Sequence, residues 1–421
     1  MRKVQKRQKD IEILIGGFCM CEQIIMEEVL GYNNSPFETN DENNEQEEDV
    51  VNTGFSDIGE MAISGTDWTA ETIVRQIEKG NIVLDPDFQR RDAWSVQKKS
   101  RFIESLILGF PIPQIILAEK KKEKGKFVVI DGKQRLLSLL QFMSDIKFSG
   151  RVLKLRGLQV KAELNGKSFQ NMCDEGLVSD IDALSNQPIR TVVVKNWPSA
   201  EVLYLIFLRL NTGSVKLSPQ ELRQALYPGE FTRFANIAAS ESNAIKKILK
   251  SQEDKPDFRM RDVEIFIRYM AFQYYASNYS GSMQRFLDSA CKQLNDSWTT
   301  SSDEIKSKAN NLELASEYTR RIFGNNAFCK YKQGKYESKT NRALMDIMLY
   351  YFSDKYIRDN SVGREEKIKN LFERMCMEDE RFLDSIEQTT KSITAVRYRF
   401  RAWAQVLSSC LSILVVSPFG E

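Results

Sequence analysis

The sequence predicts an α+β chain, with a small mixed sheet and its helices in the first half and a mainly α-helical second half. Three observations lead there. From Thr66 to about residue 230, short β-branched runs alternate with stretches of helical periodicity. After Phe231, apolar stripes recur at helical spacing: Val263, Phe266, Ile267 and Met270, then Ala343, Ile347 and Tyr350, then Ile393, Val396, Phe400 and Trp403. The chain has 421 residues, long for one compact core, so it divides into more than one unit. The expected units are an N-terminal helix and acidic linker over 1–65, an α/β unit over 66–230, and a helical bundle or array over 231–421, without a fixed-period repeat.

The first unit opens with Met1-Arg2-Lys3 and the apolar run Ile11 to Cys21. Asp10 and Glu12 interrupt it and no small-residue cleavage site follows, so the reading is a short helix rather than a signal peptide. Residues Asn33 to Asn52 are dense in Asn, Glu and Asp, a composition that cannot repay the entropy of ordering. They are expected to be a disordered linker, either a solvating spacer or an acidic arm that competes for a basic groove.

In the second unit, Trp68 to Lys79 reads as a helix stopped by Gly80, and Ile82 to Phe88 as extended around Pro86. Trp94 to Phe110 places Phe102, Ile103, Leu106 and Ile107 on one face of an amphipathic helix. Gln114 to Ala118 and Lys126 to Ile130 form a hairpin over the polar loop Glu119 to Gly125. The second strand runs into Asp131-Gly132, after which Leu136, Leu137, Leu139, Leu140 and Met143 recur at helical spacing. Ile189 to Val194 is a strand, and Ser199 to Leu210 a helix closed by Asn211-Thr212-Gly213. Ser218-Pro219-Gln220-Glu221 then starts a helix, with Ser at the N-cap, Pro at the first position and Glu placed to complete a capping box.

Composition narrows the chemistry. Lys+Arg total 60 against Asp+Glu 58, so net charge gives no global signal for nucleic acid, and any basic surface must come from local segregation. The seven cysteines lack the paired spacing of a zinc site or disulfide framework and read as reduced, mostly buried thiols. The absence of histidine excludes HNH-type nuclease chemistry, Ser-His-Asp and Cys-His catalysis, and the common zinc hydrolase sites. The apolar tail Leu407 to Val416 is too short to cross a bilayer, so the expected location is the cytoplasm, with no membrane partner.

The candidate site is the turn Asp131-Gly132-Lys133-Gln134-Arg135. Lys133 and Arg135 fall in the first helical turn, where the helix dipole disfavours cations, each by roughly 0.3–1 kcal/mol. A bound anion would offset this, held by backbone N–H groups, by the close approach that Gly132 allows, and by both cations. The alternative is that the two side chains meet solvent or nearby acids. Gln89-Arg90-Arg91 forms a second basic cluster that can face the same pocket or be an ordinary surface loop neutralised by Asp92. Trp94 is read as core rather than as a base-stacking platform.

Four runs resemble the N-terminal domain family of the GmrSD type IV restriction enzymes, often called the DGQQR domain. They are Asp87-Phe88-Gln89-Arg90 to Trp94, Ile103-Glu104-Ser105-Leu106 with Pro111-Ile112-Pro113, Ile130 to Arg135, and Arg209 to Gly213 with Gln220-Glu221-Leu222-Arg223. Phe258 to Asp262 also looks familial. The resemblance implies a ParB/sulfiredoxin-like fold, nucleotide binding and often hydrolysis around the Asp131 turn, and a role in bacterial defence against phage or modified DNA. The expected function is then a nucleoside-triphosphate-dependent sensor or switch of an anti-phage or restriction system, with catalytic parts for Asp131, Gln134 and Arg135 and with Asp131 holding Mg2+ or a water. Nucleotide or phosphate contacts fall to Gln89, Arg90, Arg91, Gly132, Lys133, Asn211 and Thr212, with Glu221 close by. Lys133 stands where the family commonly has Gln, which adds charge for phosphate and leaves that Gln's catalytic part without its residue. Restriction members append a histidine-using nuclease domain, so in this chain that module is expected to be absent or replaced.

Two other functions remain open from the sequence. The same arginines can hold a DNA backbone in a non-catalytic adaptor that recruits a separate nuclease or effector protein, with Lys246, Lys247 and Lys250 on a compatible basic face. A histidine-free metal-dependent nuclease would use Asp87 with Glu119-Lys120-Lys121, a pattern that a Lys-rich hairpin also produces by chance. A homo-oligomer is compatible with either.

Overall fold

The computed structural model describes residues 61–84, 94–121, 123–144, 152–199, 202–203, 206, 218–250, 257, 259–388 and 390–420. The N-terminal helix and acidic linker expected over 1–65 therefore lie outside the described residues, apart from the last few positions.

In chain order the first half contains β1 (Ala62–Thr69), α1 (Ala70–Glu78), β2 (Ile82–Val83), α2 (Val96–Ile107), β3 (Ile115–Lys120), β4 (Glu123–Asp131), α3 (Lys133–Met143), α4 (Phe169–Asp174), α5 (Val178–Asn186), β5 (Pro188–Lys195) and α6 (Pro219–Leu226). The strands form one mixed sheet in the order β1-β5-β3-β4-β2. β3 pairs antiparallel with β4 and parallel with β5, so the hairpin occupies the centre.

That sheet is buried on both faces, and the alternation along β3 and β4 shows how. Ile115, Leu117 and Val129 enter a core shared with Ile73 of α1, Phe102 and Leu106 of α2, and Leu136 and Leu139 of α3. Ile116, Ala118 and Ile130 point the other way, to Val194, Leu203 and Leu222 of α6. Successive side chains of a strand face opposite sides, so an uninterrupted apolar run such as Ile115-Ile116-Leu117-Ala118 needs cover on both. Helix α6 contributes to the second layer, which fixes its place beside β4.

The second half is α+β only in a minor way. It contains α7 (Glu230–Glu241), α8 (Asn243–Ile248), α9 (Arg261–Tyr275), α10 (Met283–Asp296), α11 (Trp298–Phe323), β6 (Cys329–Lys332), β7 (Lys335–Thr340), α12 (Arg342–Phe352), α13 (Lys355–Ser361), α14 (Glu365–Glu378), α15 (Glu380–Glu387) and α16 (Ile393–Leu411). The predicted stripes all face one core, including Val263, Phe266, Ile347, Val396, Phe400 and Trp403.

Several boundaries move for identifiable reasons. The helix expected from Trp68 begins at Ala70, because Thr69 is its N-cap and accepts a hydrogen bond from Thr72 N at 3.1 Å. Trp68 instead lies in β1, opposite Ile189. β1 is an edge strand, largely exposed, and so lacks the apolar alternation that would have announced it. The loop expected over Glu119 to Gly125 is mostly ladder, since backbone pairing continues past the core into an exposed arm where Lys120 and Lys126 pair with Glu123. The hairpin β6–β7 interrupts the all-helical reading of the second half. The Ser218 capping box is present: Ser218 Oγ accepts from Glu221 N at 3.1 Å and Glu221 Oε2 from Ser218 N at 2.7 Å. Residues 85–88 of the extended segment, and the Ser199 to Gly213 helix and cap apart from a few positions, lie outside the described residues.

The helical core also buries charge. Asp346 accepts from Arg268 Nε at 2.5 Å and Nη2 at 2.7 Å, and from Arg399 Nη2 at 3.2 Å. Burial, with Arg268 close by, pushes the Arg399 pKa down to about 10 even though Asp346 opposes it. Burial works against the Glu264 charge too, but Arg342 at 3.5 Å and the nearby Arg223 and Arg268 outweigh it and hold that carboxyl below its ordinary value.

Two outcomes follow. Asp346→Ala strands two buried guanidinium groups and is expected to lower unfolding free energy by about 3–5 kcal/mol, read by urea denaturation. Glu264 has a depressed folded pKa, so its stabilisation is present at neutral pH and is lost as pH falls through that depressed value. Glu264→Gln should therefore flatten the acid limb of the Tm-against-pH curve, and an unchanged limb would count against this pairing.

Candidate functional site

The site grows from the point where β4 becomes α3. Gly132 is the N-cap of α3, with a left-handed φ of 97°. A Cβ at that position would come within 3.0 Å of Ile115 Cγ1 and 3.4 Å of the Arg135 guanidinium, so both conformation and space call for glycine. Without a side chain, Gly132 offers no capping bond, and the first intrahelical bond is Leu136 N to Gly132 O at 2.9 Å. The N–H groups of Lys133, Gln134 and Arg135 precede it, at the positive end of the helix dipole.

Arg135 turns back toward the strand. Its Nη2 donates to Asp131 Oδ2 at 2.8 Å and its Nη1 to the Pro113 carbonyl at 2.6 Å. Asp131 closes β4 and Pro113 precedes β3, so one guanidinium ties the two strands together at the end where the chain leaves for α3.

Lys133 reaches a distant element. Its Nζ lies 2.5 Å from Glu221 Oε1, and both side chains are only 5% exposed. Glu221 therefore has two tasks: one carboxylate oxygen caps α6 and the other holds Lys133. The offset that two cations need at a helix N-terminus is supplied here from within the fold, by Asp131 and Glu221, so of the two readings left open by the sequence it is pairing with nearby acids that the structure shows.

Between the two cations, Gln134 is left over. Its Oε1 is buried without a hydrogen-bond partner, at the uncapped start of α3. Across the ion pair, Gln220 adjoins Glu221 and is fully buried; its Oε1 accepts from Arg223 Nη1 at 2.6 Å while its Nε2 has no partner. Two buried amide groups, one an open acceptor and one an open donor, are adjacent in sequence to the two ends of the Lys133–Glu221 pair. Unpaired buried amide atoms are destabilising, by roughly 1–3 kcal/mol each, and are uncommon unless something fills them.

Helix α6 also looks away from the turn. Arg223 Nε lies 2.6 Å from Asp288 Oδ1 on α10, both buried. Burial opposes the Arg223 charge, yet Asp288, together with Cys291 and Glu264, raises its pKa above the ordinary value.

The structure thus brings together Asp131, Gly132, Lys133, Gln134 and Arg135, and adds Glu221 as an ionic partner. Gln89, Arg90, Arg91, Asn211 and Thr212 lie outside the described residues, as does Asp87. Sequence reasoning gave Glu221 its capping task and missed the pairing with Lys133, for which a separation of 88 residues leaves no local signal. The Asp131–Arg135 spacing was legible in principle. Pro113, Gln220, Arg223 and Asp288 gave no signal as site neighbours.

The nuclease-like pattern has structural occupations. Glu119 accepts from Gly125 N at 2.9 Å, Lys120 pairs with Glu123, and Lys121 donates to the Pro198 carbonyl and lies over the Trp197 ring. Among the described residues, no group of three or more Cys, Asp or Glu could hold a metal ion, and no helix is long and apolar enough to cross a membrane.

Residues 70–228 match the family model described as the GmrSD restriction endonuclease, N-terminal domain. The match begins at the first residue of α1 and ends just past α6, so the turn and its Glu221 partner both fall within it. Comparisons with curated proteins and with solved structures find no match.

Gly132→Ala is expected to destabilise the fold by about 1–3 kcal/mol, from left-handed strain plus the clash with Ile115. Chemical denaturation checks it, and a wild-type midpoint would contradict the geometry described for the turn.

Proposed function

With a GmrSD restriction endonuclease N-terminal domain over residues 70–228 as the premise, we propose that the chain is the sensor or switch component of a restriction or anti-phage defence system, with a nucleoside triphosphate as the signal. The observation that carries the reading is Gln134: a buried amide oxygen without a partner, at an uncapped helix N-terminus that follows a glycine turn. Such an N-terminus suits phosphate, through its N–H groups and the helix dipole. The open amide atoms of Gln134 and Gln220 suit the donors and acceptors of a nucleotide.

In this reading the ligand competes for a lysine. A phosphate at the start of α3 attracts Lys133, and Lys133 leaves Glu221 to the extent that the phosphate offers a better partner. Leaving Glu221 buried and unpaired is unfavourable, so α6 must adjust, and Arg223 carries that adjustment to Asp288 in the helical half. A ligand shifts such an equilibrium only by its difference in affinity for the two arrangements, so the exchange of partners is where the switching free energy arises.

Magnesium fits this site as a companion of the phosphates and not as a resident of a protein cage. Asp131, the partner of Arg135 at the turn, is the carboxylate that would accompany it, since Mg2+ commonly binds through one or two carboxylates plus phosphate oxygens. Asp131, Gln134 and Arg135 would then be the residues next to the phosphate chain, and phosphate release reports whether hydrolysis follows binding.

Isothermal titration with ATP, GTP, CTP and UTP in the presence of magnesium tests the reading. At least one is expected to bind, and Gln134→Ala is expected to weaken it tenfold or more, about 1.4 kcal/mol. Because the Gln134 oxygen has no intramolecular bond to lose, Tm should hold or rise. Absence of binding to all four nucleotides by the unaltered protein overturns the proposal.

A further inference from the structure

Arg399 of α16 is 0% exposed, and among the described residues it is the only charged side chain buried so completely. Its Nη2 shares the Asp346 carboxylate with Arg268, and its Nη1 donates to the carbonyls of Ser385 at 3.2 Å and Thr390 at 2.5 Å, around the end of α15. Neither Asp346 nor Arg268 is more than 6% exposed. Two guanidinium groups against one carboxylate leave one positive charge in excess, shut away from water. Glu264, the other carboxylate that bears on Arg268, is itself held by Arg342 at 3.5 Å and has Arg223 close by. Burial lowers the Arg399 pKa to about 10, still well above neutrality, so the group keeps its proton. A buried charge without full compensation is strongly unfavourable.

Two open hydrogen-bond donors accompany that excess. Arg399 Nε is buried without a partner, and so is Nε1 of Trp403, a side chain that is likewise 0% exposed. The two residues are four apart on α16, which puts them one above the other on the same face. Helical side chains lean toward the N-terminus, so the Trp403 indole is carried back over the turn that bears Arg399. Its ring is held edge-on by Phe352 of α12, with centroids 6.3 Å apart, and by Phe372 of α14 at 5.8 Å, which fixes the direction of its N–H. With Asp346 on α12 and Ser385 on α15, these neighbours surround the stretch of α16 between the two donors.

We propose that the helical half binds a halide ion, chloride in the cell, between Arg399 Nε and Trp403 Nε1. Two donors with no acceptor beside them would also suit a water, but a water leaves the excess charge uncompensated, and an anion removes it. A phosphate or sulfate has more acceptor oxygens than two donors can satisfy, and the rest would be buried unpaired. Held there, the ion joins α16 to α12 and α15 and stabilises the folded helical half. The inference is independent of the nucleotide reading, since it uses no residue of the turn.

Thermal unfolding of the full chain tests it, in sodium gluconate with chloride or bromide replacing gluconate at constant ionic strength. Tm should rise and follow a binding curve, as for any ligand taken up by the folded state alone. Trp403→Phe keeps a ring and removes the donor, and it should raise the half-saturating chloride concentration by about tenfold or more, the loss of one hydrogen bond to a charged group. Arg399→Met, which removes the charge and the donor together, should abolish the dependence; if it does not fold, the unaltered chain and Trp403→Phe carry the test. Crystals soaked in bromide should show anomalous density between the two nitrogens. The same Tm in all three salts, a chloride dependence that Trp403→Phe leaves unaltered, or a water between the nitrogens in bromide-soaked crystals overturns the proposal.

Discussion

Lys133 and Glu221 stand 88 residues apart in the chain and 2.5 Å apart in the fold, both removed from water. Two charges in such a place are each unfavourable alone; only as a pair, with Glu221 also bonded to the start of α6, does their burial become tolerable. The consequence is geometric. α3 begins at Gly132, α6 presents Glu221 beside Lys133, and Leu222 of the same helix lies in the apolar layer on that face of the sheet. The pair specifies where the last helix of the first half must sit.

From there the constraint passes onward. Arg223 follows Glu221 by two residues and meets Asp288 of α10, while Gln220 accepts a hydrogen bond from Arg223 and keeps an open amide nitrogen. One short helix therefore touches the glycine turn at one end and the helical half through its middle. In the proposed exchange of partners, a change at Lys133 would reach Asp288 through α6. That connection makes the turn a suitable place for a ligand to act on the helical region.

The sequence discloses local events well. The hairpin β3–β4, the glycine entrance to α3, the capping box at Ser218 and the apolar stripes of the second half all follow from turn chemistry and periodicity, and all are present. What it conceals is pairing at long range. β1 has no apolar alternation because an edge strand needs none, and β6–β7 hides among four lysines, two of which pair with Glu387 of α15. At the turn, charge was visible and its destination was not. Lys133 and Arg135 read as cations that meet either a bound anion or nearby acids, and the fold supplies the acids, Glu221 and Asp131. The residues of the site were found, and the electrostatic balance among them was found only in three dimensions.

A double-mutant cycle on Lys133→Met and Glu221→Gln measures the central interaction directly, since glutamine retains the capping box while removing the charge. Each single variant should lose about 3 kcal/mol or more in urea denaturation, and the double variant should recover most of it, giving a coupling of at least about 2 kcal/mol. Additive losses, with a coupling under about 0.5 kcal/mol, would mean that the two charges do not hold α6 to the turn, and the account built on their pairing would fail.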